Sequence, residues 1–196
     1  MSTSTNTSTS TQPTGTATLA ERMGGYAAYH RDPRCKLPHL FGVPLAFYSP
    51  LIALGWLRFD LPDFGYGVFS LSLAMLVLAA VMIWYIKLDV VFGSIMTLIS
   101  IPAAYACDAA AQLPFLTSLA LFVGLTILAW TIQLIGHAYE GRKPALADNL
   151  TQSLMGPLFV LAEVVFALGL RRGLHDRVEE LAASHVFPNP AASATS

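Results

Sequence analysis

Long apolar runs alternate with short polar breaks through most of this sequence. Four runs, about 40–57, 67–86, 90–107 and 115–137, predict helices able to cross a hydrocarbon core of about 30 Å. The first carries Pro44 and Pro50, which predicts a kink. Only Lys87, Leu88 and Asp89 separate the second run from the third, a connection that suits an antiparallel helical hairpin. A fifth run, 154–170, is shorter, has Gly156-Pro157 at its start and holds Glu163 near its middle. It reads as re-entrant or shallow, with a full fifth crossing as the alternative.

The flanks read differently. Residues 1–18 are a Ser/Thr-rich tail with next to nothing apolar to bury, so they are expected to be disordered. They lack the charged start and apolar middle of a signal peptide. Residues 19–30 predict a short interfacial helix ending near His30, weakened by Gly24 and Gly25 by about 1 kcal/mol each. Pro33 and Pro38 predict a break, which places His30 and His39 on either side of a turn. Residues 171–187 read as an amphipathic helix on the membrane surface, and 188–196 as a loose tail. The expected fold is all-α: an integral membrane bundle of four to five transmembrane helices over 19–170.

Composition agrees. The chain is 55% hydrophobic and 12% charged, against about 25% charged in soluble domains. The net charge is −1, with no basic block, which argues against a nucleic-acid partner. With four crossings, Arg22, Arg31, Arg34, Lys36, Lys87, Arg142 and Lys143 all fall on one side, read as cytoplasmic. A fully crossing fifth run would put Arg171, Arg172 and Arg177 on the other. The same topology separates Cys35 from Cys107, so both read as free thiols. Trp56, Trp84 and Trp130 suit interface anchoring.

Candidate chemistry gathers where the fourth run ends. Gln133, His137, Glu140, Arg142, Lys143, Asp148, Asn149 and Gln152 stand close together at the edge of an otherwise apolar region. His39 opens the first span and His137 closes the fourth. An even number of crossings separates them, so they share a face, and His30 stands beside His39. Three imidazoles form a ligand set used for zinc and for non-haem iron. Gln133, His137 and Glu140 fall on one helical stripe, with Glu140 either a carboxylate ligand or a base that orients an imidazole. The negative end of the fourth helix favours a cation near His137. The plainer reading has these histidines anchoring or capping helices. Asp148, Asn149 and Gln152 either brace the turn after Pro144 or bind a polar head group. Glu163 is expected to be paired, with Arg142 or Lys143 as candidates, or hydrogen-bonded in the bundle. His175 and His185, set among Arg, Asp and Glu, read as solvated.

Two stretches carry a family resemblance. GHAYEGRKPALADNLTQSLMGPLFVLAEV resembles the signature GH-x-x-x-E-x-x-x-PAL-x-DNL-x-Q-x-L-x-x-P-x-F-x-x-x-E, with Glu140 one place early. YHRDPRCKLPHLFGVPL resembles Y-H-x-x-x-x-N-x-x-x-H-x-x-G-x-P, with Cys35 in place of the asparagine. Both belong to a family of small membrane proteins that includes a fungal 2-hydroxy fatty acid dioxygenase of the endoplasmic reticulum, an iron enzyme of alpha-oxidation. The resemblance spans 26–166. It implies that His30, His39 and His137 bind Fe(II), that Asp148, Asn149 and Gln152 form the family's polar cluster, and that the substrates are a 2-hydroxy fatty acid and dioxygen. On that basis Arg142 or Lys143 would hold the carboxylate and Glu140 would take the hydroxyl proton.

Two other classes fit the same residues: a non-catalytic lipid-binding or transport protein, and a zinc-dependent membrane hydrolase. A diiron hydroxylase fits less well, since such proteins carry about eight clustered histidines and this chain has 5. The alanine-rich composition suits a bacterial inner membrane, the fungal relative an endoplasmic reticulum.

Overall fold

The computed structural model describes residues 18–29, 33–61, 69–140 and 150–184. The elements are α1 (Leu19–Tyr29), α2 (Pro33–Gly55), β1 (Arg58–Leu61), β2 (Phe69–Ser72), α3 (Leu73–Leu88), α4 (Val90–Ala111), α5 (Phe115–Glu140), α6 (Leu150–Ala167) and α7 (Arg172–Ser184). The class is all-α. Three helices, Leu37–Gly55, Val90–Ala111 and Phe115–Ala138, are long and apolar enough to cross a membrane, and Leu73–Leu88 and Ser153–Ala167 are shorter apolar helices.

α2 is the axis of the bundle. It packs against α3, α4, α5 and α6. It begins at Pro33, where a helix break was expected, and runs through Pro38, Pro44 and Pro50. Pro33 occupies the first helical position, where the missing N–H would have had no partner anyway. Pro38 costs only the bond to a carbonyl of the opening turn. Gly136 of α5 lies beside it: a Cβ at Gly136 would stand 3.3 Å from Pro38 Cβ. His39 is therefore a helical residue, not the far side of a turn.

A second difference lies between α2 and α3. The expected helix from 67 begins only at Leu73. Before it, β1 and β2 pair antiparallel, Arg58 opposite Ser72 and Leu61 opposite Phe69. The alternation in Phe69-Ser70-Leu71-Ser72 has period two, which suits a strand and not a helix. The Arg58 guanidinium donates to Asp108 Oδ1 at 2.8 Å and so ties this ribbon to the end of α4. Ser72 then caps α3 by accepting from the Met75 N–H.

The tight link from α3 to α4 rests on Asp89 and Gly93. Asp89 Oδ1 accepts from the Val91 and Phe92 N–H groups, both at 3.0 Å. A Cβ at Gly93 would fall 2.4 Å from Ile86 N, so the two helices meet backbone to backbone there.

α6 does not run the length of the bundle. The Tyr85 hydroxyl donates to the Leu154 carbonyl near its start. Phe166, near its end, meets the Phe92 ring edge-on at 6.5 Å. Tyr85 and Phe92 flank the same α3–α4 link, so both ends of α6 lie at one end of the bundle. Arg171, just beyond α6, pairs there with Asp89 at 2.9 Å. The corner between α6 and α7 uses left-handed backbone at Gly169 (φ 73) and Arg171 (φ 53).

α1 and α7 pack together beside α6. A Thr18–Glu21 capping box starts α1: Thr18 N–H donates to Glu21 Oε2 at 2.7 Å, and Glu21 N–H to Thr18 Oγ1 at 3.3 Å. Hydrogen bonding of the Glu21 carboxyl to the Thr18 N–H and to the Thr18 side chain holds it below its ordinary range. Gly24 has a use the sequence did not show. A Cβ there would meet Leu181 Cβ at 2.6 Å, so this glycine sets how closely α7 approaches.

The outward faces of α4 and α5 are apolar and bare. Leu98, Tyr105 and Leu116 are 70%, 79% and 77% exposed. Such surface suits a hydrocarbon solvent and is rarely left open in water.

Candidate active site

Two helices set the site by their register. α2 and α5 run antiparallel, so one contact fixes the rest. Trp56 Nε1 donates to Ser118 Oγ at 2.8 Å at one end. Ser49 and Thr126 hydroxyls meet at 3.3 Å midway. Gly42 faces Ile132 and Gln133, and His39 faces Gly136, at the other end. The glycines let the backbones approach, as small residues do between membrane helices. The ladder ends with His39 and His137 side by side. Their rings stand edge to face, centroids 5.0 Å apart at 84°.

Both histidines are buried, His39 6% and His137 7% exposed. His39 Nε2 and His137 Nδ1 lie away from solvent and make no hydrogen bond among the described residues, as does Gln133 Oε1. Both histidines have other interactions. Two buried ring nitrogens and a buried amide oxygen thus gather within about one turn of α5. They are the donor atoms a divalent transition metal or a polar ligand head takes. Among the described residues no group of three or more His, Cys, Asp or Glu side chains forms a metal site.

A cavity of about 370 Å³ opens beside His137, within the range of about 300–1,000 Å³ common for ligand pockets. Val43, Ala46, Phe47, Pro50, Leu51 and Leu54 of α2 form its floor; Val77, Leu78 and Val81 of α3 and Trp130 of α5 its walls. Gln133, His137, Tyr26 and Ser153 supply the polar groups at one end, under Gly156 and Pro157 of α6. From Val43 to Leu54 the floor runs about 16 Å. The shape is a polar head and an apolar slot.

The structure thus brings together two of the predicted ligands, His39 and His137. α1 ends one residue before His30, which lies outside the described residues, as do Arg142, Lys143, Asp148 and Asn149. Glu140 ends α5 and Gln152 falls in the first turn of α6; their side chains lie outside the described residues too. Glu163 is half-buried on α6 and has an interaction partner. His175 is 43% exposed in its side chain, stacks on Phe166 at 4.8 Å and takes no part in the site. His185 lies outside the described residues. Cys107 is a free thiol whose Sγ donates to the Tyr48 carbonyl.

Trp130, which the sequence suits to interface anchoring, also lines the cavity. It placed Gln133 on the His137 stripe without giving it a role. The available signal was an amide inside an apolar helix one turn before a histidine, where nothing but a ligand or a partner helix rewards it. Tyr26 was missed because α1 reaches the site through its packing on α6, which the sequence does not show.

Comparison with known proteins places the chain in a family. A family model described as 2-hydroxy-palmitic acid dioxygenase Mpo1-like matches residues 16–168. The chain is 30% identical over 169 residues to the 2-hydroxy-palmitic acid dioxygenase MPO1 of Saccharomyces cerevisiae, covering 84% of this chain and 90% of that protein. No solved structure matches. With the family model matched over 16–168 and both signature stretches inside that region, the chain belongs to the Mpo1-like family.

Proposed function

We propose that this protein is a membrane-embedded, Fe(II)-dependent dioxygenase that shortens 2-hydroxy fatty acids by one carbon. The observation that carries this reading is the buried His39–His137 pair at the polar head of an apolar slot. Family membership supports the substrate class.

The donor chemistry fits iron. His39 and His137 would supply two neutral imidazoles, and His30 the third, leaving positions for substrate and dioxygen. Bound ferrous iron supplies the one-electron chemistry that lets dioxygen react with a closed-shell acid. The protein's own residues do the rest. The slot along α2 takes the acyl chain out of the lipid and holds C1 and C2 beside the histidines. Trp130 and Phe47 keep that region dry, which strengthens polar contacts at the head. Arg142 or Lys143 would hold the carboxylate before it reaches the metal, and Glu140 would accept the hydroxyl proton. In the balanced reaction, the C1–C2 bond breaks, C2 becomes the new carboxyl, C1 leaves as carbon dioxide, and dioxygen takes up the four electrons the two carbons lose, with one water formed.

The lipid-facing surface of α4 and α5 supports a multi-pass membrane location. We place the histidine end on the cytoplasmic side, because Lys87 lies at that end and the pairing of Arg171 with Asp89 brings a second cation there.

The test is direct. Protein purified in detergent without oxygen is loaded with Fe(II), given 2-hydroxypalmitate and air, and its products are read by mass spectrometry. The expected product is pentadecanoic acid, in proportion to bound iron. His137→Ala and His39→Ala should lose iron, and retained stoichiometric iron in either overturns the ligand assignment. Iron binding without the shortened acid overturns the substrate, with Cys35, at the family's asparagine position, the first residue to restore.

A further inference from the structure

The slot has three sides. α2 is its floor, and α3 and α5 are its walls. α4 packs on α2, α3 and α5 but lends the slot no residue, so it closes the bundle behind the floor. On the other side α3 and α5 share no packed seam. Among the described residues, the cover comes from Tyr26 of α1 and Ser153, Leu154, Gly156 and Pro157 of α6, all at the histidine end. Exposure marks the uncovered part. Pro50 lies in the middle of the floor and is exposed, while Leu51 beside it is buried. On α3, Leu78 is 7% exposed and its neighbour Val77 is 37% exposed. Ile127 and Leu134, which flank Trp130 on α5, are exposed too. The opening is therefore rimmed by apolar side chains, which suit hydrocarbon and not water.

An acyl chain can reach such a slot by two routes. Endwise entry past the histidines would carry the chain through water and under α6. There Met155, Leu158 and Phe159 are buried, and the Tyr85 hydroxyl holds the Leu154 carbonyl. Sideways entry moves the chain from lipid tails to side chains as apolar as they are, with little change in solvation. The carboxylate then travels along the membrane edge to the histidine end and is spared the apolar interior. We propose that the acyl chain enters and leaves sideways, out of the bilayer core, through the opening between α3 and α5, with Val77 at its edge. The ligand class rests on the function proposed above; the route rests on the arrangement of the helices.

Rates separate a passage from a filled site. Metal-free protein in phosphatidylcholine nanodiscs is mixed with 2-hydroxypalmitate brominated along its chain. Stopped flow follows the saturable quenching of tryptophan fluorescence, since Trp130 lines the slot. Val77→Phe narrows the opening. It should slow association and dissociation alike, by about 10-fold each, because a higher barrier is crossed in both directions. The dissociation constant should therefore hold. Val77→Ala should speed both rates, and it decides the matter if the larger side chain does not fold. Ala46→Phe fills the floor and should instead weaken binding through faster dissociation. Leu98→Phe, on the bare face of α4, should leave both rates at the wild-type values. Val77 variants with wild-type rates overturn the proposal and leave the slot in place. So does a Val77→Phe variant that behaves like Ala46→Phe. A wild type without saturable quenching overturns the acyl-slot reading, and the route with it.

Discussion

His39 lies directly against Gly136. A Cβ at position 136 would stand 3.0 Å from both Cε1 and Nδ1 of the imidazole. The glycine before His137 therefore leaves room for the other histidine, and the pair is positioned by what residue 136 lacks.

Gly136→Ala should consequently act as a site mutation with no change to any ligand. The His39 ring must give by a few tenths of an ångström, and disturbing the support of a metal ligand costs about 10–100-fold in metal affinity or activity. Gly124 on the same helix has nothing within 4 Å of a built Cβ, so Gly124→Ala is the control and should leave iron content unchanged. Metal analysis of the two purified variants decides it. Equal iron in both would separate His39 from the site.

Filling the slot should hurt long chains and spare the metal. Ala46 is half-buried on the cavity floor. Ala46→Phe is expected to raise KM for 2-hydroxypalmitate by about 10-fold or more, as a loss of buried apolar contact of roughly 1.4 kcal/mol would. Iron stoichiometry should hold, and short 2-hydroxy acids should lose less. A uniform loss over chain lengths would mean the acyl chain lies elsewhere.

Asp89 makes the fold sensitive to acid. Burial alone would push its carboxyl up. The Phe92 N–H, the Arg171 guanidinium and the Val91 N–H outweigh that and hold it below the ordinary range. Because the folded state binds the proton less readily than the unfolded one, this stabilisation is complete above an unfolded pKa of about 4. It is lost as pH falls through the lower folded value. Asp89→Ala should lose the α4 cap, about 1 kcal/mol, and flatten the acid limb of thermal stability measured in detergent. Asp89→Asn keeps a capping oxygen and should recover part of the loss at neutral pH while staying flat in acid.

The junction of α1 and α7 depends on Gly24. Gly24→Ala puts a Cβ 2.6 Å from that of Leu181, closer than two carbons can stand, so α7 must move. The expected result is faster proteolytic cleavage around α7, with buried Val178 and Ala182 uncovered. Gly173→Ala, with nothing within 4 Å, should cleave at the wild-type rate.

The sequence by itself determined the all-α class, the long apolar helices and which ends share a face. Low charge and runs of about 20 apolar residues leave little choice where every backbone group must be satisfied within a helix. Counting crossings was enough to put His39 and His137 at one end, and the signature stretches carried the family. Tertiary structure alone decided the rest. A membrane helix is apolar all round, so its periodicity does not say which face meets which neighbour. Hence the α2–α5 register, the cavity face of Gln133 and Trp130, and the fit of Gly42, Gly136 and Gly24 appear only once the helices are packed. The prolines of α2 pointed to a break, yet the helix runs through them from Pro33 to Gly55. The alternation in Phe69–Ser72 is too short to outweigh the apolar run that follows it. Tyr85, Phe92 and Asp89, three residues around one link, tie both ends of α6 to one end of the bundle.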